Sequence, residues 1–570
     1  MNRFRLVALW GVHLSLLIVA AGAMLTWAMG RNGSVSLAAG ETAVRYTVDE
    51  MMVEHLPRPV TLDTFYVEYY PGGAVPCDYV SRIVAGTDTF RLSMNQVADI
   101  DGWRFTQSQF TTHGTVEFGV SYDPMGRATV YAGFLLFALS GLLLIVIPKR
   151  SRIKKVLAGL LILFSWNAAG AESVRGISEA QADSLARVQV VYNGRVVTFD
   201  TFARDMLTQV SGSSSYRGMS AVQAVGSMIF YPEDWSRQPL LKVKGDWLRD
   251  KFGGSRVALD DLFEANGVFR LTSLYQAASP KHQAQLTELD GRVGLLLQLY
   301  SGSLVSAPEA GEALLSPVRV KVELLYNRVP LALGACVMFV MAAVAGFMRR
   351  GSRWLLCGAI VIAVSDYTLR WWIAGHVPLG SMPDTLRLAV IVTGLCIIFM
   401  RRSWPLFMPV ASLACAAMCG TAVIMGKSPA VATLMPVLRS PWLGIHVSVV
   451  MVSYSLFLIT FLSSVCALAR PSLRAPVMRF EHTVLPVAVW LLGLGIATGA
   501  VWAEMSWGRY WAWDPKEIWA LVTFAVYSIG LHPRLIRRSE SWHVYIVAAF
   551  AAVLMTYVGV NYMPSLHAYA

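Results

Sequence analysis

The chain has 570 residues, of which 55% are hydrophobic and only 15% are charged. With a mean hydropathy of +0.50, it is too apolar for a water-soluble globular protein of this length, so we expect an integral membrane protein. The formal net charge of +12 does not call for a nucleic-acid partner, because the basic residues cluster beside apolar runs, where membrane topology explains them.

Apolar runs long enough, or nearly so, to cross a bilayer as helices follow one another along the chain. They span about residues 6–29, 129–148, 329–348, 354–373, 384–400, 404–425, 442–468, 483–504, 515–532 and 542–560. A shorter run at 151–171 follows a basic stretch and, taken alone, resembles a signal peptide, but in this internal position it more simply returns the chain across the membrane. The sequence predicts an α-helical polytopic membrane protein with about eleven transmembrane helices.

Lysine and arginine residues predict the orientation of these helices, since loops rich in them stay on the cytoplasmic side. Alternating crossings bring together on one side the basic residues at 3–5, 149–155, 349–350, 401–402, 470–479 and 534–538. We therefore expect the N-terminus in the cytoplasm, and the C-terminus and residues 507–519 on the outside.

Two extramembrane segments are long enough to fold. The first, 30–128, has strand-like alternation in "TLDTFYVEYY" and "TVEFGVSYD", which predicts a small β domain. The second, 172–328, has helical patterns in "ISEAQADSLARVQVV" and "DGRVGLLLQLYSG", which predict a mainly helical insert. None of the seven cysteines forms a Cys-x-x-Cys pair, so the chain has no dithiol of its own for redox work.

Four histidines bracket the membrane. His13 and His532 lie toward the cytoplasmic side, and His446 and His567 lie toward the outside. Neutral imidazoles are good axial ligands of haem iron, and two can close both axial positions. Alternatively, an inner histidine bonds a carbonyl of a neighbouring helix or reaches the interface, and spacing alone does not show that either pair meets. His376, in an outward loop, is an open candidate.

The stretch "SWGRYWAWDPKEIW" at 506–519 is dense in aromatic residues. Asp514, Pro515 and Glu517 have the pattern of a capped helix start, which explains the two acids better than chemistry does. The aromatic residues before this cap are Trp507, Tyr510, Trp511 and Trp513. An interfacial belt explains one or two of them, but less well a dense run that also contains Gly508. Apolar faces that can stack on a planar ring favour a porphyrin site.

The motif "WGRYWAWDPKEIW" resembles the WWD motif of the haem-handling proteins of cytochrome c biogenesis. The part around it, 329–570, is similar to CcsA in "RWWIAGHVPLGSMPDTL", "SPWLGIHVS" and "GVNYMPSLHAY". Residues 1–150 are similar to ResB, also called CcsB, in "DGWRFTQSQF", "GTVEFGVSYDPMG" and "VYAGFLLFALSGLLL". Over most of its length the chain resembles a fused CcsBA cytochrome c synthase of the bacterial inner membrane. The outer loop departs from the family pattern at Ser381, Pro383 and Asp384, which puts a partner contact there in doubt.

The resemblance implies a cytochrome c haem lyase whose substrate and ligand is haem b in the ferrous state. It implies that haem is held first by His13 and His532 and then by His446 and His567. The cofactor-binding segment would comprise Trp507, Gly508, Tyr510, Trp511, Trp513 and Asp514. The haem vinyl groups would be joined to the thiols of a Cys-x-x-Cys-His segment of apocytochrome c, after a thioredoxin-like protein has reduced those thiols.

Two other functions stay open. A haem exporter that leaves ligation to a partner would use the same paired histidines. A membrane electron-transfer cytochrome would also bind haem through two histidines, but its ligands usually sit on facing helices within the bilayer, whereas His567 follows the last predicted helix.

Overall fold

The computed structural model describes residues 3–49, 52–73, 75–110, 114–146, 175–264, 267–309, 312–348, 352–400, 406–426, 430–431, 433–532, 535–536 and 538–564. The predicted helix at 151–171 and the predicted ligand His567 lie outside these residues.

The N-terminal part consists of two apolar helices with a β domain between them. The helices are α1 (Arg3–Met29) and α2 (Pro124–Val146). The strands are β1 (Arg31–Ala38), β2 (Thr42–Asp49), β3 (Met52–Tyr69), β4 (Pro76–Ala85), β5 (Asp88–Leu92), β6 (Ala98–Ile100), β7 (Trp103–Phe110) and β8 (Thr115–Tyr122). They form one antiparallel sheet in the order β5-β4-β3-β2-β1-β8-β7-β6.

The β domain is attached to both helices through two adjacent inner strands of its sheet. Strand β1 follows α1 directly, β8 leads into α2, and the two strands pair from Arg31↔Tyr122 to Ala38↔Thr115. Alternate residues of β8, Val116, Phe118 and Val120, are buried in the domain core, as expected for a sheet with one apolar face. Because both connections leave from adjacent strands, the domain sits directly above the α1–α2 pair.

Helix α2 starts earlier in the chain than the apolar run predicts. Its first residue is Pro124, and the Asp123 carboxylate accepts a hydrogen bond from the Gly126 N–H at 3.0 Å. A cap of this kind satisfies a backbone donor that the helix itself leaves unpaired. The polar first turn therefore belongs to the helix, although hydropathy assigns it to the β domain.

The insert between the two membrane parts is mainly helical. Its elements are α3 (Glu179–Leu185), β9 (Gln189–Tyr192), β10 (Arg195–Thr198), α4 (Phe199–Ser211), β11 (Ser215–Tyr216), β12 (Met219–Ser220), α5 (Ala221–Phe230), α6 (Pro232–Ser236), β13 (Leu241–Lys242), α7 (Asp246–Phe252), β14 (Arg256–Val257), α8 (Arg270–Ala277), α9 (Pro280–Tyr300) and α10 (Pro317–Arg328). They share one apolar core that includes Phe202, Trp235 and Leu286.

One helical expectation in the insert is wrong. In "ISEAQADSLARVQVV" only Glu179–Leu185 is helical, and the end of that run forms β9, which pairs with β10. The connecting residues, Asn193 and Gly194, both have positive φ, 48° and 72°, as the tightest hairpin turns require. The β-branched residues before an Asn-Gly turn therefore favour a strand over a continued helix.

The C-terminal part is a bundle of apolar helices. They are α11 (Leu331–Phe347), α12 (Ser352–Ala374), α13 (Met382–Met400), α14 (Phe407–Met425), α15 (Pro441–Ala469), α16 (Arg474–Trp507), α17 (Pro515–Ile529) and α18 (Ser539–Tyr557). Helix α17 ends before the predicted His532, which lies in the turn that follows.

The predicted fold class, a helical polytopic membrane protein with a β domain near its N-terminus, is confirmed. Within the described residues, seven helices are long and apolar enough to span a membrane, or eight if the bent pair α10–α11 counts as one span. Helices α13 and α17, of 19 and 15 residues, are not among them. The number of about eleven spans stays a prediction.

The β domain and the insert both contact loops at the end of the bundle that the sequence predicts to face outward. The Asn95 Nδ2 donates to the Pro436 carbonyl at 2.8 Å, and the Tyr70 hydroxyl donates to the Leu434 carbonyl at 2.9 Å. From the insert, Arg195 donates to the carbonyls of Val431 and Ile373 at 2.9 and 3.0 Å. The outer ends of the bundle are thus tied to both extramembrane domains.

Close packing of α1 on α2 leads to a first prediction. A Cβ at Gly133 of α2 would lie 2.7 Å from the Val19 Cγ2 and 3.0 Å from the Val19 backbone nitrogen in α1. We expect Gly133→Ala to lower the thermal unfolding midpoint of the detergent-solubilised protein, because overpacking costs about 1–3 kcal/mol.

The matched control for this prediction is Gly334→Ala in α11, where the nearest atom to a new Cβ would be 3.9 Å away. Both substitutions gain the same helix propensity, about 1 kcal/mol, so their difference reports packing alone. Equal midpoints for the two variants would contradict the close approach of α1 and α2.

Candidate functional site

The two predicted inner histidines meet in the structure. His13 comes from α1 and His532 from the turn after α17, and their ring centroids are 6.1 Å apart with an interplanar angle of 81°. Both side chains are exposed at the protein surface. Two nitrogens bound to opposite sides of one metal ion would be roughly 4 Å apart, twice a typical metal–imidazole bond of about 2 Å. The observed ring separation is compatible with such a bridge.

Each inner histidine is oriented by its own helix. The His13 Nδ1 lies 2.9 Å from the Leu9 carbonyl, and the His532 Nδ1 lies 3.1 Å from the Ser528 carbonyl. A carbonyl can only accept, so each Nδ1 must carry the proton, and in the neutral ring the lone pair is then on Nε2. The carbonyl that each ring bonds lies four residues earlier in its own segment and not in a neighbouring helix. Each side chain can therefore bond this carbonyl and still present Nε2 to a ligand.

The predicted outer ligand His446 lies in the second turn of α15, packed against α16. Its Nδ1 donates to the Gly495 carbonyl at 2.7 Å. A Cβ at Gly499 would lie 2.7 Å from both the Cε1 and the Nδ1 of this ring, so only glycine leaves room for the imidazole there. The predicted second outer ligand, His567, lies outside the described residues, so the outer pairing stays a prediction.

The acidic end of the tryptophan-rich stretch caps α17. The Asp514 Oδ2 accepts from the Lys516 N–H at 3.0 Å, and the Glu517 Oε2 accepts from the N–H groups of Ala512 and Asp514 at 2.8 and 3.1 Å. This reciprocal arrangement is a complete capping box. The geometry agrees with the expectation that both acids serve mainly as caps.

The aromatic residues before the cap lie at different depths. Trp507 is the last residue of α16 and packs on the buried Trp502, with ring centroids 4.9 Å apart. Tyr510 is buried, Trp511 is partly buried beside it, and Trp513 is 70% exposed. The rings of Trp511 and Trp513 are perpendicular, with centroids 5.9 Å apart. Only part of the predicted platform therefore presents an open aromatic face.

The backbone of Trp513 has a positive φ of 59°, a conformation that costs a residue with a large side chain roughly 1–3 kcal/mol. The capping box on the next residue holds it there. Such a conformation turns this indole away from the protein core, and an exposed strained residue of this kind is a frequent mark of a binding site.

Gly508 ends α16 in the left-handed region, with φ of 71°. The β domain approaches Gly508 closely. A Cβ there would lie 2.7 Å from the Thr106 Cγ2, and the Ser121 hydroxyl donates to the Gly508 carbonyl at 2.8 Å.

His446 and the aromatic segment lie at the same level of α16. Gly499 contacts the ring of His446, and the next residue, Ala500, packs in one cluster with Tyr510 and Trp511. The predicted outer ligand and part of the predicted platform therefore contact adjacent residues of α16.

The open candidate His376 lines a cavity of about 830 Å³ between the insert and the outer loops. Other lining residues are Arg370 and Asp384 from the bundle and Lys244, Glu288 and Arg292 from the insert. Asp384 forms an ion pair with Arg370 at 2.6 Å and accepts from the Ser381 hydroxyl at 2.7 Å. Asp384, one of the residues at which this loop departs from the family pattern, thus forms a buried ion pair with Arg370.

Two buried carboxylates in α16 were missed by the sequence analysis. Glu504 is 2% exposed and lies near Arg104 and Arg127. Glu481, 0% exposed, accepts from the indole of Trp542 at 2.7 Å and lies 3.2 Å from His543. Each is an acidic residue within an otherwise apolar helix, which is a signal for a specific partner. His543, near the start of α18, is also fully buried.

The capping geometry leads to a second prediction. Asp514→Ala removes the acceptor at the start of α17 and should lower the free energy of unfolding by about 0.5–2 kcal/mol. Asp514→Asn keeps a capping side chain and should stay within a few tenths of wild type. Thermal or denaturant unfolding of the purified protein measures both.

Ser440→Ala is the matched control for this prediction, because the Ser440 side chain makes no capping hydrogen bond at the start of α15. It should leave stability unchanged. A loss in Asp514→Asn as large as in Asp514→Ala would mean that the charge, and not the cap, is what the position requires.

Comparisons with known proteins agree with the two-part architecture. Residues 2–132 match the model of the ResB-like family, and residues 379–567 match that of the cytochrome C assembly protein family. Protein NrfI of Wolinella succinogenes is 26% identical over 649 residues, which cover 90% of this chain and 71% of that protein.

The C-terminal part matches other relatives at a higher identity. The cytochrome c biogenesis protein CcsA of Parasynechococcus marenigrum is 32% identical over 290 residues, covering 42% of this chain and 95% of that protein. CcsA of Synechococcus sp. (strain CC9902) is 31% identical over 261 residues, covering 38% of this chain and 86% of that protein. With a CcsA relative matched over almost its whole length and a ResB-like part before it, the chain belongs to the family of cytochrome c biogenesis proteins that join a ResB-like to a CcsA-like part.

Proposed function

We propose that the chain is a cytochrome c synthase. It receives haem at an inner site formed by His13 and His532 and passes it to an outer site formed by His446, His567 and the tryptophan-rich segment. There it joins the haem vinyl groups to the thiols of a Cys-x-x-Cys-His segment of apocytochrome c. The inner site lies toward the cytoplasm and the outer site toward the periplasm.

The observation that carries this proposal is the meeting of His13 with His532. The two residues come from opposite ends of the chain, one from the ResB-like part and one from the CcsA-like part, yet their rings are 6.1 Å apart. Both are exposed and both have Nδ1 bonded to a backbone carbonyl. Ionisable side chains in or beside apolar membrane helices favour a bound ligand, and the separation of the two rings is compatible with a haem iron held between them.

Packing on α16 supports the outer site. His446 lies against Gly499, and Tyr510–Trp511 pack with the adjacent Ala500. An axial histidine holds the metal of the substrate haem and influences its redox potential. Indole faces at the edge of the ring exclude water and favour one orientation of the macrocycle. The chain therefore supplies binding and orientation rather than an acid–base pair.

Thioether formation needs no group that leaves. The sulfur of each cysteine bonds to one carbon of a vinyl group and the thiol hydrogen goes to the other carbon, so the S–H and the C=C π bond are exchanged for C–S and C–H bonds. Holding the vinyl group beside the thiol removes the entropy cost of a chance encounter, an effect that reaches about 7–11 kcal/mol in well-oriented systems. The thiols must arrive reduced, which requires a separate thioredoxin-like protein.

The direct test uses the purified chain with ferrous haem and a reduced Cys-x-x-Cys-His peptide. We expect a covalent haem–peptide adduct, detected by its mass after denaturation. Binding of haem without any adduct would instead indicate a haem exporter, and the proposed lyase activity would be wrong.

Mutations at the inner and the outer site should have different effects on haem binding and on adduct formation. His13→Ala and His532→Ala should each reduce bound haem and product together, since haem reaches the outer site through the inner one. His446→Ala should keep the haem absorption spectrum of the inner site but form no adduct. His55→Ala, an exposed histidine of the β domain, is the control and should behave as wild type.

The packing of His446 gives a further prediction. Gly499→Ala places a methyl group where the imidazole ring lies, 2.7 Å from two of its atoms, so the ring has to turn away. We expect adduct formation to fall by about tenfold or more, the effect of a misplacement of about 1 Å. Gly444→Ala, where a Cβ meets nothing within 4 Å, controls for loss of a helical glycine in the neighbouring helix, and an equal loss there would refute the steric explanation.

A further inference from the structure

A buried charge cluster lies at the outer end of α16, directly before the tryptophan-rich segment. Glu504 is three residues before Trp507, and its carbonyl accepts the N–H of Gly508 at 3.0 Å. Its carboxylate is met by Arg104 of β7 at 2.9 Å and by Arg127 of α2 at 3.3 Å. The Tyr131 hydroxyl of α2 donates to its second oxygen at 2.9 Å.

All the charged and hydroxyl partners of Glu504 come from the ResB-like part of the chain. A carboxylate that is 2% exposed is tolerated only with close opposite charge and hydrogen bonds. Asp99 of the β domain lies 3.9 Å from both guanidiniums, so two arginines and two acids make a neutral group. The position of Glu504 is therefore set by residues outside its own half of the molecule.

The segment that follows Gly508 is also contacted by the ResB-like part of the chain. Beyond the Ser121–Gly508 contact, the Tyr510 hydroxyl lies 2.6 Å from the Thr26 Oγ1 of α1. Thr26 in turn donates to Asp123 at 2.6 Å, so Tyr510 is the donor to Thr26. Burial raises the pKa of Tyr510 above its usual value, which keeps the phenol protonated as that donor.

We propose that Glu504 is a positioning residue for the outer site: through Arg104 and Arg127 it fixes the start of the segment 507–513 relative to the β domain, while Tyr510 fixes its middle. The assignment of this segment to haem rests on the proposed function, but the fixation does not. The ResB-like part thereby sets the geometry of a site whose residues belong to the CcsA-like part.

The test is the substitution Glu504→Gln in the full chain. It keeps the shape of the side chain and its hydrogen bond with Tyr131, but it removes the negative charge that faces the two arginines. We expect amide hydrogen exchange at residues 508–514, measured without haem, to become about tenfold or more faster, because a hydrogen bond to a charged group is lost. With haem and peptide, the kcat of adduct formation should fall by a similar factor while the KM for the peptide stays the same.

Two further variants separate positioning from a general loss of stability. Glu481→Gln neutralises a buried carboxylate at the other end of the same helix and should leave exchange at 508–514 as in wild type. Tyr510→Phe removes only the hydroxyl bonded to Thr26 and should raise exchange in the same segment.

The possible results are distinguishable. Unchanged exchange at 508–514 in Glu504→Gln, or an equal rise in Glu481→Gln, would overturn the positioning role. Faster exchange with unchanged kcat would also overturn it, since the segment would then move without effect on the reaction. If the wild-type chain forms no adduct at all, the proposed lyase function fails, while hydrogen exchange still decides whether Glu504 fixes the segment.

Discussion

The position of the tryptophan-rich segment relative to the β domain depends on one buried carboxylate with two guanidiniums. Glu504 sits in α16 of the C-terminal bundle, and Arg104 and Arg127 reach it from the β domain and from α2. Removing one member of such a group leaves an uncompensated buried charge, at a cost of about 3–5 kcal/mol. Because the Glu504 carboxylate is buried, the contact favours one relative position of the two halves, and with it one position of the tryptophan-rich segment.

Much of the fold could be predicted from local patterns. Apolar runs located the long helices, strand-like alternation located the β domain, and Asp514 with Glu517 marked the start of α17. The errors lie where short-range signals compete, as at β9, where the Asn-Gly turn outweighs the helical pattern before it. The exact ends of helices depended on caps such as Asp123, which hydropathy does not register.

The candidate site was predictable as residue types but not as contacts. Sequence pointed to His13 and His532 as ionisable groups in or beside apolar helices, while the 6.1 Å between their ring centroids depends on the tertiary arrangement that brings α1 to the turn after α17. Glu504 carried the same signal and was passed over, because its meaning lies in partners hundreds of residues earlier in the chain. An ion pair between residues far apart in the chain produces no periodic pattern in the sequence.

Helix α1 carries His13 in its inner half and Thr26 near its outer end. At about 1.5 Å per residue the two lie roughly 20 Å apart on one continuous helix. A helix of this length transmits axial displacement almost without compression, so sliding or tilting α1 would disturb the imidazole pair and the Tyr510 hydroxyl at the same moment. A movement of α1 at one predicted haem site would therefore be felt at the other.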